Sequence, residues 1–383
     1  MPTFVFDETS LIAPLGLIVL KGAEKLGKLV DDFLVKWFNE TVAKGKSARK
    51  KDTFIIKSAC PRFTTGDGKG MIEDSVRGHD LYFLVDVGNY NVKYPLFGSM
   101  NSMSPDDHFA DLKRLIGAAG GKAERITVIM PSLYGGRQHK RNSRESLDCA
   151  QMLQELFDMG VKDIVTFDAH DPRVQNAVPL MGFDNFFPTY QILKALLKNF
   201  PDVKLTQDNF MIVSPDEGAM SRNIFYASVL GVELGMFYKR RDYANVIDGR
   251  NKIVAHEYIG IDVKDKDIFV ADDIIATGDS VLRLCQDLKE KGAKRIFLMA
   301  TYTLFTEGVE RFDEAFNNGL FTAVIGTNLT YIKEELSTRK WFVCADLSKY
   351  IAYIIASCNQ NKSVSPLLNS ADRIHELIGR TQK

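Results

Sequence analysis

One stretch, residues 267–284 (DIFVADDIIATGDSVLRL), constrains the fold more than any other part of the chain. Four apolar residues, 268–271, predict a short strand that ends in the adjacent carboxylates Asp272 and Asp273. A small polar turn at 277–280 follows, and a helical pattern of apolar residues begins directly after it. A strand, a glycine-containing turn and a helix start in this order predict an α/β protein with a ligand site at the carboxyl end of the strand.

The turn at 277–280 has the features of an anion-binding site. The first backbone amides of a helix have no internal partners, and the helix dipole is positive at that end. Thr277 and Ser280 add hydroxyl donors, and Gly278 lets the backbone approach a phosphate closely. The paired carboxylates before the turn suit sugar hydroxyls or a hydrated cation. A phosphorylated sugar fits both halves of this site, whereas an ordinary helix cap would explain only Asp279 and Ser280.

Strands and helices alternate along much of the chain. Three times a helical pattern ends at a glycine, a few polar residues follow, and an apolar strand begins. These strands are Ile126–Met130, Ile164–Phe167 and Ile296–Ala300. The pattern predicts an α/β fold with two similar domains, each a mainly parallel sheet flanked by helices. We place an N-terminal domain at 1–184, a C-terminal domain at 185–355, and a tail that packs on the N-terminal domain at 356–383.

Composition narrows the class of protein. The 383 residues include 49 basic and 49 acidic side chains, so no overall charge favours nucleic acid or an anionic membrane. The apolar run at 11–20 is too short to cross a bilayer, and acidic residues precede it where a signal peptide carries positive charge. Five cysteines without zinc-ligand spacing favour a reducing compartment. We therefore expect a cytoplasmic protein that binds neither membrane nor nucleic acid.

Loops after the other predicted strands supply further candidate residues, because ligands of parallel sheets gather at the carboxyl ends of strands. Arg137 and Gln138 offer planar donors for phosphate oxygens and a base edge. Asp168 and His170 lie two residues apart and could hold a divalent ion or its water ligands, although Mg²⁺ prefers oxygen. Asp216 either caps a helix or contacts a substrate, and its motif leaves both interpretations open.

A basic segment follows the predicted strand at 234–238. In an extended chain Lys239 and Arg241 share one face, and Arg240 points to the other. Two cations that converge on one point suit a transferring phosphoryl group, whose transition state spreads negative charge over peripheral oxygens. A solvated basic loop is the alternative, and this motif alone does not choose between them.

Several segments resemble, in the same order, motifs of the ribose-phosphate pyrophosphokinase (phosphoribosyl pyrophosphate synthetase) family. The signature at 267–284 resembles the phosphoribosyl pyrophosphate-binding motif, which phosphoribosyltransferases share. The other similar segments are Arg62–Asp67, Ser75–Asp80, Arg137–Arg141, Asp168–His170, Ser214–Asp216 and Lys239–Arg241. This family transfers the diphosphoryl group of ATP to the anomeric hydroxyl of ribose 5-phosphate, releases AMP and needs Mg²⁺. The resemblance implies the same substrates and Mg²⁺ as cofactor.

The resemblance also implies a role for each candidate residue. The ATP-binding residues would be Phe63, Asp67, Arg137, Gln138 and His170. The residues that bind ribose 5-phosphate would be Asp216, Asp272, Asp273, Thr277, Gly278 and Ser280. The metal ligands would be His170, Asp168 and Asp216, and the catalytic residues would be Lys239 and Arg241. Phe63 and Asp67 would reach the adenine from a neighbouring subunit, which implies a homo-oligomer, at least a dimer and up to a hexamer.

Four residues depart from the family pattern. Thr65 and His139 each replace an aspartate, and Ala276 replaces an aspartate that is frequent in the pyrophosphokinases. Asp279 replaces a small residue in the phosphate turn, so its carboxylate must point away from a bound phosphate. The departures keep two alternatives open. One is a phosphoribosyltransferase that acts on a nucleobase, and the other is a non-catalytic regulatory homologue.

Overall fold

The computed structural model describes residues 4–6, 11–44, 50–247 and 250–381, without the side chains of 239–256. The strands are β1 (Leu15–Val19), β2 (Ser58–Ala59), β3 (Met71–Ile72), β4 (Asp80–Leu84), β5 (Lys93–Leu96), β6 (Ser99–Ser102), β7 (Arg125–Ile129), β8 (Asp163–Phe167), β9 (Gly182–Phe186), β10 (Phe210–Ser214), β11 (Glu233–Ile247), β12 (Arg250–Ile259), β13 (Asp267–Ile275), β14 (Arg295–Thr303), β15 (Ala323–Thr327) and β16 (Phe342–Ala345). The helices are α1 (Glu24–Ala43), α2 (Pro105–Ala119), α3 (Asp148–Asp158), α4 (Thr189–Asn199), α5 (Met220–Leu230), α6 (Asp279–Glu290), α7 (Glu310–Asn317), α8 (Ser348–Asn359), α9 (Ser365–Leu368) and α10 (Ala371–Thr381). None of the helices in these ranges is long and apolar enough to cross a membrane.

The chain divides into two compact units. Unit 1 comprises Met1–Phe187, Asn328–Tyr331 and Asp346–Asn369. Unit 2 comprises Pro188–Thr327, Ile332–Ala345 and Ser370–Lys383. The expected domain boundary at 184/185 falls inside β9, the edge strand of the unit 1 sheet, and the chain passes into unit 2 directly after that strand.

Unit 1 is built on a parallel sheet in the order β1-β4-β7-β8-β9. Leu17 of β1 lies beside Tyr82 of β4, and Phe83 lies beside Val128 of β7. Every residue of β4 is buried, as expected for a parallel strand covered on both faces. Apolar side chains of α2 and α3 join the core on this sheet. The predicted α/β architecture is confirmed for this unit.

Unit 2 is built on a sheet in the order β12-β11-β10-β13-β14-β15-β16. All neighbouring strands are parallel except β11 and β12, which form an antiparallel arm at one edge. The carboxyl ends of β10 and β13 are therefore neighbours. This adjacency brings the loop after β10 beside the paired carboxylates of β13.

Two strands differ from their sequence-based bounds. β13 continues to Ile275 rather than ending at Ala271, because β14 extends beside it and pairs Asp272 with Ala300. The run at 54–58 (FIIKS) also predicts a strand, but the structure has a single bridge there between Ile55 and β1, where Leu17 N donates to Phe54 O at 2.9 Å, and Ser58 belongs to β2. Paired carboxylates thus lie within a strand, on a rigid part of the sheet.

The C-terminal segment is shared between the units. α8, within the expected C-terminal domain, packs on α1 in unit 1, where the ring centroids of Trp37 and Tyr353 are 5.6 Å apart. α10, expected to pack with the tail on the N-terminal domain, contacts α4 and α5 in unit 2. There Ile374 is fully buried and His375 Nε2 lies 3.0 Å from Val229 O. Each of these two helices buries its apolar side chains against the unit that it contacts.

Asp86, just after β4, ties the segment 328–331 to unit 1. Its carboxylate accepts hydrogen bonds from Thr330 Oγ1 at 2.9 Å, Tyr331 N at 2.7 Å and Gly88 N at 2.9 Å. Burial raises the pKa of Asp86 to about 7, against the opposing effect of these donors. This carboxyl group is a point where the stability of unit 1 depends on pH.

Candidate functional site

The paired carboxylates of β13 concentrate negative charge in unit 2. Asp273 is buried, and its backbone N donates to Asp272 Oδ1 at 2.8 Å. Burial raises the pKa of Asp272 well above its usual range, and the charge of Asp273 raises it further. Arg222 opposes the shift, with Nη1 at 3.7 Å from Asp272 Oδ1. A cation or hydroxyl donors placed beside this pair would stabilise its ionised form.

The loop after β10 is held beside that pair by Asn223 of α5. Its buried amide donates to Ala219 O and to Ala271 O, each at 2.8 Å, and so connects the loop to β13. Asp216 Oδ1 accepts from Ala219 N at 3.1 Å within the loop that precedes α5, and its charge also raises the pKa of Asp272. Asp216 thus orders the loop and lies near the pair, and its contact with a substrate stays a prediction.

The turn before α6 has the geometry expected of a phosphate cradle. Gly278 has φ of 91°, a left-handed conformation that side chains other than glycine disfavour, and it is the N-cap of α6. A Cβ atom at Gly278 would lie 2.4 Å from Phe312 Cε2, so the turn touches α7. Thr277 Oγ1 donates to Asp279 Oδ2 at 3.2 Å, and Ser280 is exposed.

The carboxylate of Asp279 is held by Arg311 of α7. Arg311 Nη2 lies 2.5 Å from Asp279 Oδ1, and its Nη1 lies 3.3 Å from Glu307 Oε2. Asp279 therefore forms an ion pair across the start of α6. The candidate basic pair, Lys239 and Arg241, belongs to β11, but the side chains of both residues lie outside the described part of the structure.

In unit 1, the loops after β7 and β8 meet. The ring centroids of His139 and His170 are 5.2 Å apart, and His139 Nε2 lies 3.6 Å from Asp171 Oδ2. A hydrogen bond from Arg173 lowers the pKa of Asp171 to about 2, so this carboxylate is charged at neutral pH. The geometry brings the candidate residues of both loops to one edge of the sheet.

The individual candidates on these loops have different environments. Arg137 and Gln138 are exposed, and the backbone N of Gln138 donates to Gly135 O at 2.7 Å. Asp168 is buried with φ of 47°, whereas His170 is exposed. Strain of this kind at a non-glycine residue often marks a functional loop. The arrangement offers exposed donors for phosphate groups.

The remaining candidates, Phe63 and Asp67, lie on a loop whose base is anchored by a buried ion pair. Arg62 donates to Asp111 Oδ1 at 2.6 Å and to Oδ2 at 3.0 Å, and both side chains are nearly fully buried. Thr65 Oγ1 donates to Asp67 Oδ2 at 2.7 Å. The ring of Phe63 remains 58% exposed at the tip of the loop. The loop thus presents an aromatic face and a carboxylate outward from a rigid base.

The residues present are compatible with Mg²⁺ bound together with substrate phosphates. In the described part of the chain, no group of three or more His, Cys, Asp or Glu side chains has a metal-binding arrangement. Mg²⁺ usually retains water and takes one or two carboxylates together with substrate phosphates, so it needs no complete protein cage. The adjacent carboxylates of Asp272 and Asp273 fit such a role. The ligands expected from the sequence, Asp168, His170 and Asp216, stay a prediction.

Three residues of these sites were missed by sequence reasoning: Arg222, Asp111 and Arg311. Each lies on a helix, where a single charged residue is ordinarily a solvated one. Arg222 is the third residue of α5, directly after the loop that follows β10, and this proximity in sequence was the one signal available. Asp111 and Arg311 act on loops far from them in sequence, and no local pattern points to those contacts.

Two family models match successive parts of the chain. Residues 23–160 match the model described as the N-terminal domain of ribose phosphate pyrophosphokinase. Residues 188–317 match the phosphoribosyl transferase domain. The two matches follow the order of the two sheets.

Curated relatives and a solved structure agree with these matches. The ribose-phosphate pyrophosphokinase of Vibrio parahaemolyticus is 28% identical over 315 residues, which cover 80% of this chain and 90% of the relative. Ribose-phosphate pyrophosphokinase A of Dictyostelium discoideum is 25% identical over 317 residues, 82% of this chain and 90% of the relative. The fold resembles that of phosphoribosylpyrophosphate synthetase from Mycobacterium smegmatis, with a TM-score of 0.70 and 22% identity over 91% of this chain and 99% of that one.

Proposed function

The chain belongs to the ribose-phosphate pyrophosphokinase family, and on that premise we propose that it makes phosphoribosyl pyrophosphate. The diphosphoryl group of Mg-ATP would pass to the anomeric hydroxyl of ribose 5-phosphate, and AMP would leave. The observation that carries the proposal is the presence of both family domains in one chain, in order. A phosphoribosyltransferase that acts on a nucleobase would need neither Arg137 and Gln138 nor the Lys239 and Arg241 pair.

Unit 2 would bind ribose 5-phosphate. The amides at the start of α6, the hydroxyls of Thr277 and Ser280, and the close approach permitted by Gly278 suit the 5-phosphate. Asp272 and Asp273 would accept hydrogen bonds from the ribose hydroxyls, with Asp216 nearby. The raised pKa of Asp272 supports this role, because hydroxyl donors would relieve the repulsion between the two carboxylates.

Unit 1 would bind ATP. Arg137 and Gln138 are exposed on the loop after β7 and would contact the nucleotide, with His170 on the adjoining loop. Phe63 would stack on the adenine of a neighbouring subunit, and Asp67 would accept a hydrogen bond from the base. The exposed ring of Phe63 on a rigid base supports this part of the proposal. The active protein would then be a homo-oligomer, at least a dimer.

Positioning and charge would supply most of the rate acceleration. The nucleophile is a sugar hydroxyl, so the protein needs no covalent intermediate, and orientation of two bound substrates lowers the entropy cost of their reaction. Mg²⁺, when bound, would neutralise charge on the phosphate oxygens. Lys239 and Arg241 would stabilise negative charge that develops on the transferred group.

The test is an assay of the purified protein with Mg-ATP and ribose 5-phosphate, in which AMP and phosphoribosyl pyrophosphate are both measured. Equal amounts of the two products are expected. A second reaction supplies phosphoribosyl pyrophosphate and a nucleobase, and product only in that reaction would replace the proposal with a phosphoribosyltransferase. No product in either reaction would favour a non-catalytic homologue.

Substitution of the basic pair sharpens the assay. Lys239→Ala should lower kcat by about 10²-fold or more while the KM of each substrate changes little, because the proposed contact forms in the transition state. Arg240→Ala is the matched control, since in an extended chain Arg240 lies on the face opposite that of Lys239. Equal losses in the two variants would remove the role assigned to Lys239.

A further inference from the structure

The pair formed by Asp279 and Arg311 lies at the turn where the sugar phosphate is proposed to bind. Asp279 is the first residue of α6, and its two carboxylate oxygens are both engaged. Oδ1 lies 2.5 Å from Arg311 Nη2, and Oδ2 accepts from Thr277 Oγ1 at 3.2 Å. The side chains of Asp279 and Arg311 are 55% and 53% exposed, so a ligand from solvent can reach both.

A carboxylate at this position competes with a phosphate. The first turn of a helix favours any negative charge, so Asp279 stabilises α6 before a ligand arrives. Asp279 also engages the hydroxyl of Thr277, which is a proposed donor to the 5-phosphate. A phosphate dianion that entered the turn would meet a negative charge and an occupied donor. The turn therefore needs a cation that offsets Asp279.

Arg311 is placed to supply that cation, because the helix that carries it packs against the turn. Its neighbour Phe312 packs beneath the turn, where a Cβ atom at Gly278 would meet the ring at 2.4 Å. Phe312 is fully buried, and its ring stacks on Trp341 with centroids 5.6 Å apart. α7 is thus held rigidly against the turn, and Arg311 emerges from it directly beside Asp279.

We propose that Arg311 is a positioning residue for the sugar-phosphate turn. By pairing with Asp279, Arg311 holds one carboxylate oxygen of Asp279 towards α7 and offsets the negative charge of that carboxylate. A phosphate dianion can then bind at the start of α6. Arg311 acts through Asp279 and need not touch the phosphate itself. The proposal rests on the proposed function and adds to it a determinant of affinity for the sugar phosphate.

The test is a cycle of substitutions at the two positions. Arg311→Gln should raise the KM for ribose 5-phosphate about tenfold and leave kcat and the KM for ATP within about twofold, because the exposed carboxylate then repels the phosphate. Asp279→Asn should leave the KM for ribose 5-phosphate equal to or below that of the parent. In the double variant the increase in the KM for ribose 5-phosphate that Arg311→Gln causes should disappear.

The double variant separates positioning from direct contact. If Arg311 itself bound the phosphate, Arg311→Gln would cost as much in the Asp279→Asn background as in the parent, and the proposal would be wrong. Glu307→Gln is the matched control, because it removes the other partner of Arg311 at 3.3 Å and keeps the pair with Asp279. The KM of Glu307→Gln for ribose 5-phosphate should stay within about twofold of that of the parent.

Calorimetric titration with ribose 5-phosphate gives a second readout that needs no turnover. The Kd should weaken in Arg311→Gln and recover in the double variant. An inactive parent protein would overturn the proposed function but not this inference, provided that the Kd follows that pattern. An unchanged Kd in Arg311→Gln, or one that stays weak in the double variant, would overturn the inference whatever the activity of the parent.

Discussion

Substitution of Gly278 by alanine should destabilise unit 2 and impair its sugar-phosphate turn. The φ of 91° costs roughly 1–2 kcal/mol for a residue with a Cβ atom. That atom would also lie 2.4 Å from Phe312 Cε2 and 2.5 Å from Cζ. The ring cannot retreat easily, because its centroid is 4.8 Å from Phe305 and it stacks on Trp341. Overpacking of this kind costs about 1–3 kcal/mol, so the expected loss is ~2–5 kcal/mol.

Urea denaturation measures this loss, and the two tryptophans of the chain allow it to be assigned to one unit. Trp37 lies in unit 1, and Trp341 lies in unit 2 against Phe312. In a Trp37→Phe background, fluorescence therefore reports on unit 2. If the turn shifts instead of unfolding, the KM for ribose 5-phosphate should rise several-fold while the KM for ATP stays constant.

The matched control is Gly379→Ala in α10, also in unit 2. A Cβ atom there meets no other atom within 4 Å, and alanine is about 1 kcal/mol better than glycine in a helix interior. This variant should be as stable as the parent or slightly more so. The packing argument would be refuted if Gly278→Ala matched Gly379→Ala in free energy of unfolding and in the KM for ribose 5-phosphate.

Three further outcomes are expected. The folded protein holds the proton of Asp86 up to about pH 7, whereas the unfolded chain releases it near 3.8. The contribution of Asp86 to the free energy of unfolding, measured as the difference between the parent and Asp86→Asn, should therefore fall by up to roughly 4 kcal/mol as the pH rises from 4 to 7. Urea titrations of both proteins across that range check this fall. Arg62→Ala removes two buried hydrogen bonds to the carboxylate of Asp111, which keeps its contact with Arg114 at 2.7 Å, and should cost about 3–5 kcal/mol in the same assay. Arg114→Ala, at a side chain 34% exposed, should cost under about 1 kcal/mol, and equal costs would contradict the buried pairing of Arg62 with Asp111. Phe63→Ala should raise the KM for ATP about tenfold through lost stacking on the base. Phe97→Ala, on a neighbouring exposed hairpin, should leave the KM for ATP unchanged. A constant KM for ATP in both variants would contradict the contact proposed between Phe63 and adenine.

Local structure around the proposed sugar-phosphate site was predictable from adjacent residues. The apolar run, the glycine turn and the helical pattern at 267–284 correspond to β13 and α6, with Gly278 in the left-handed conformation that such a turn requires. The end of β13 was not predictable, since four more residues join the strand only because β14 runs beside them. The run at 54–58 shows the converse, because its apolar residues predict a strand but only Ile55 bridges β1.

Contacts between charged residues required the tertiary structure. The sequence shows that Asp279 is an anomaly in a phosphate turn, but it does not show that Arg311 offsets it. It shows a lone Asp86 after a strand, but not the donors at 330 and 331 that surround it. Such pairs depend on which helices and loops the packing of the sheet brings together, and a charge on a helix has the same local pattern whether it is paired or solvated.

By itself the sequence determined the alternation of strands and helices, the glycine turns and the positions of candidate residues at strand ends, because these depend on backbone conformation and on apolar spacing within a few residues. Only the tertiary structure decided that α8 packs in unit 1 and α10 in unit 2. An amphipathic helix encodes that it has a face to bury, whereas the surface that receives this face is built by residues far away in the chain.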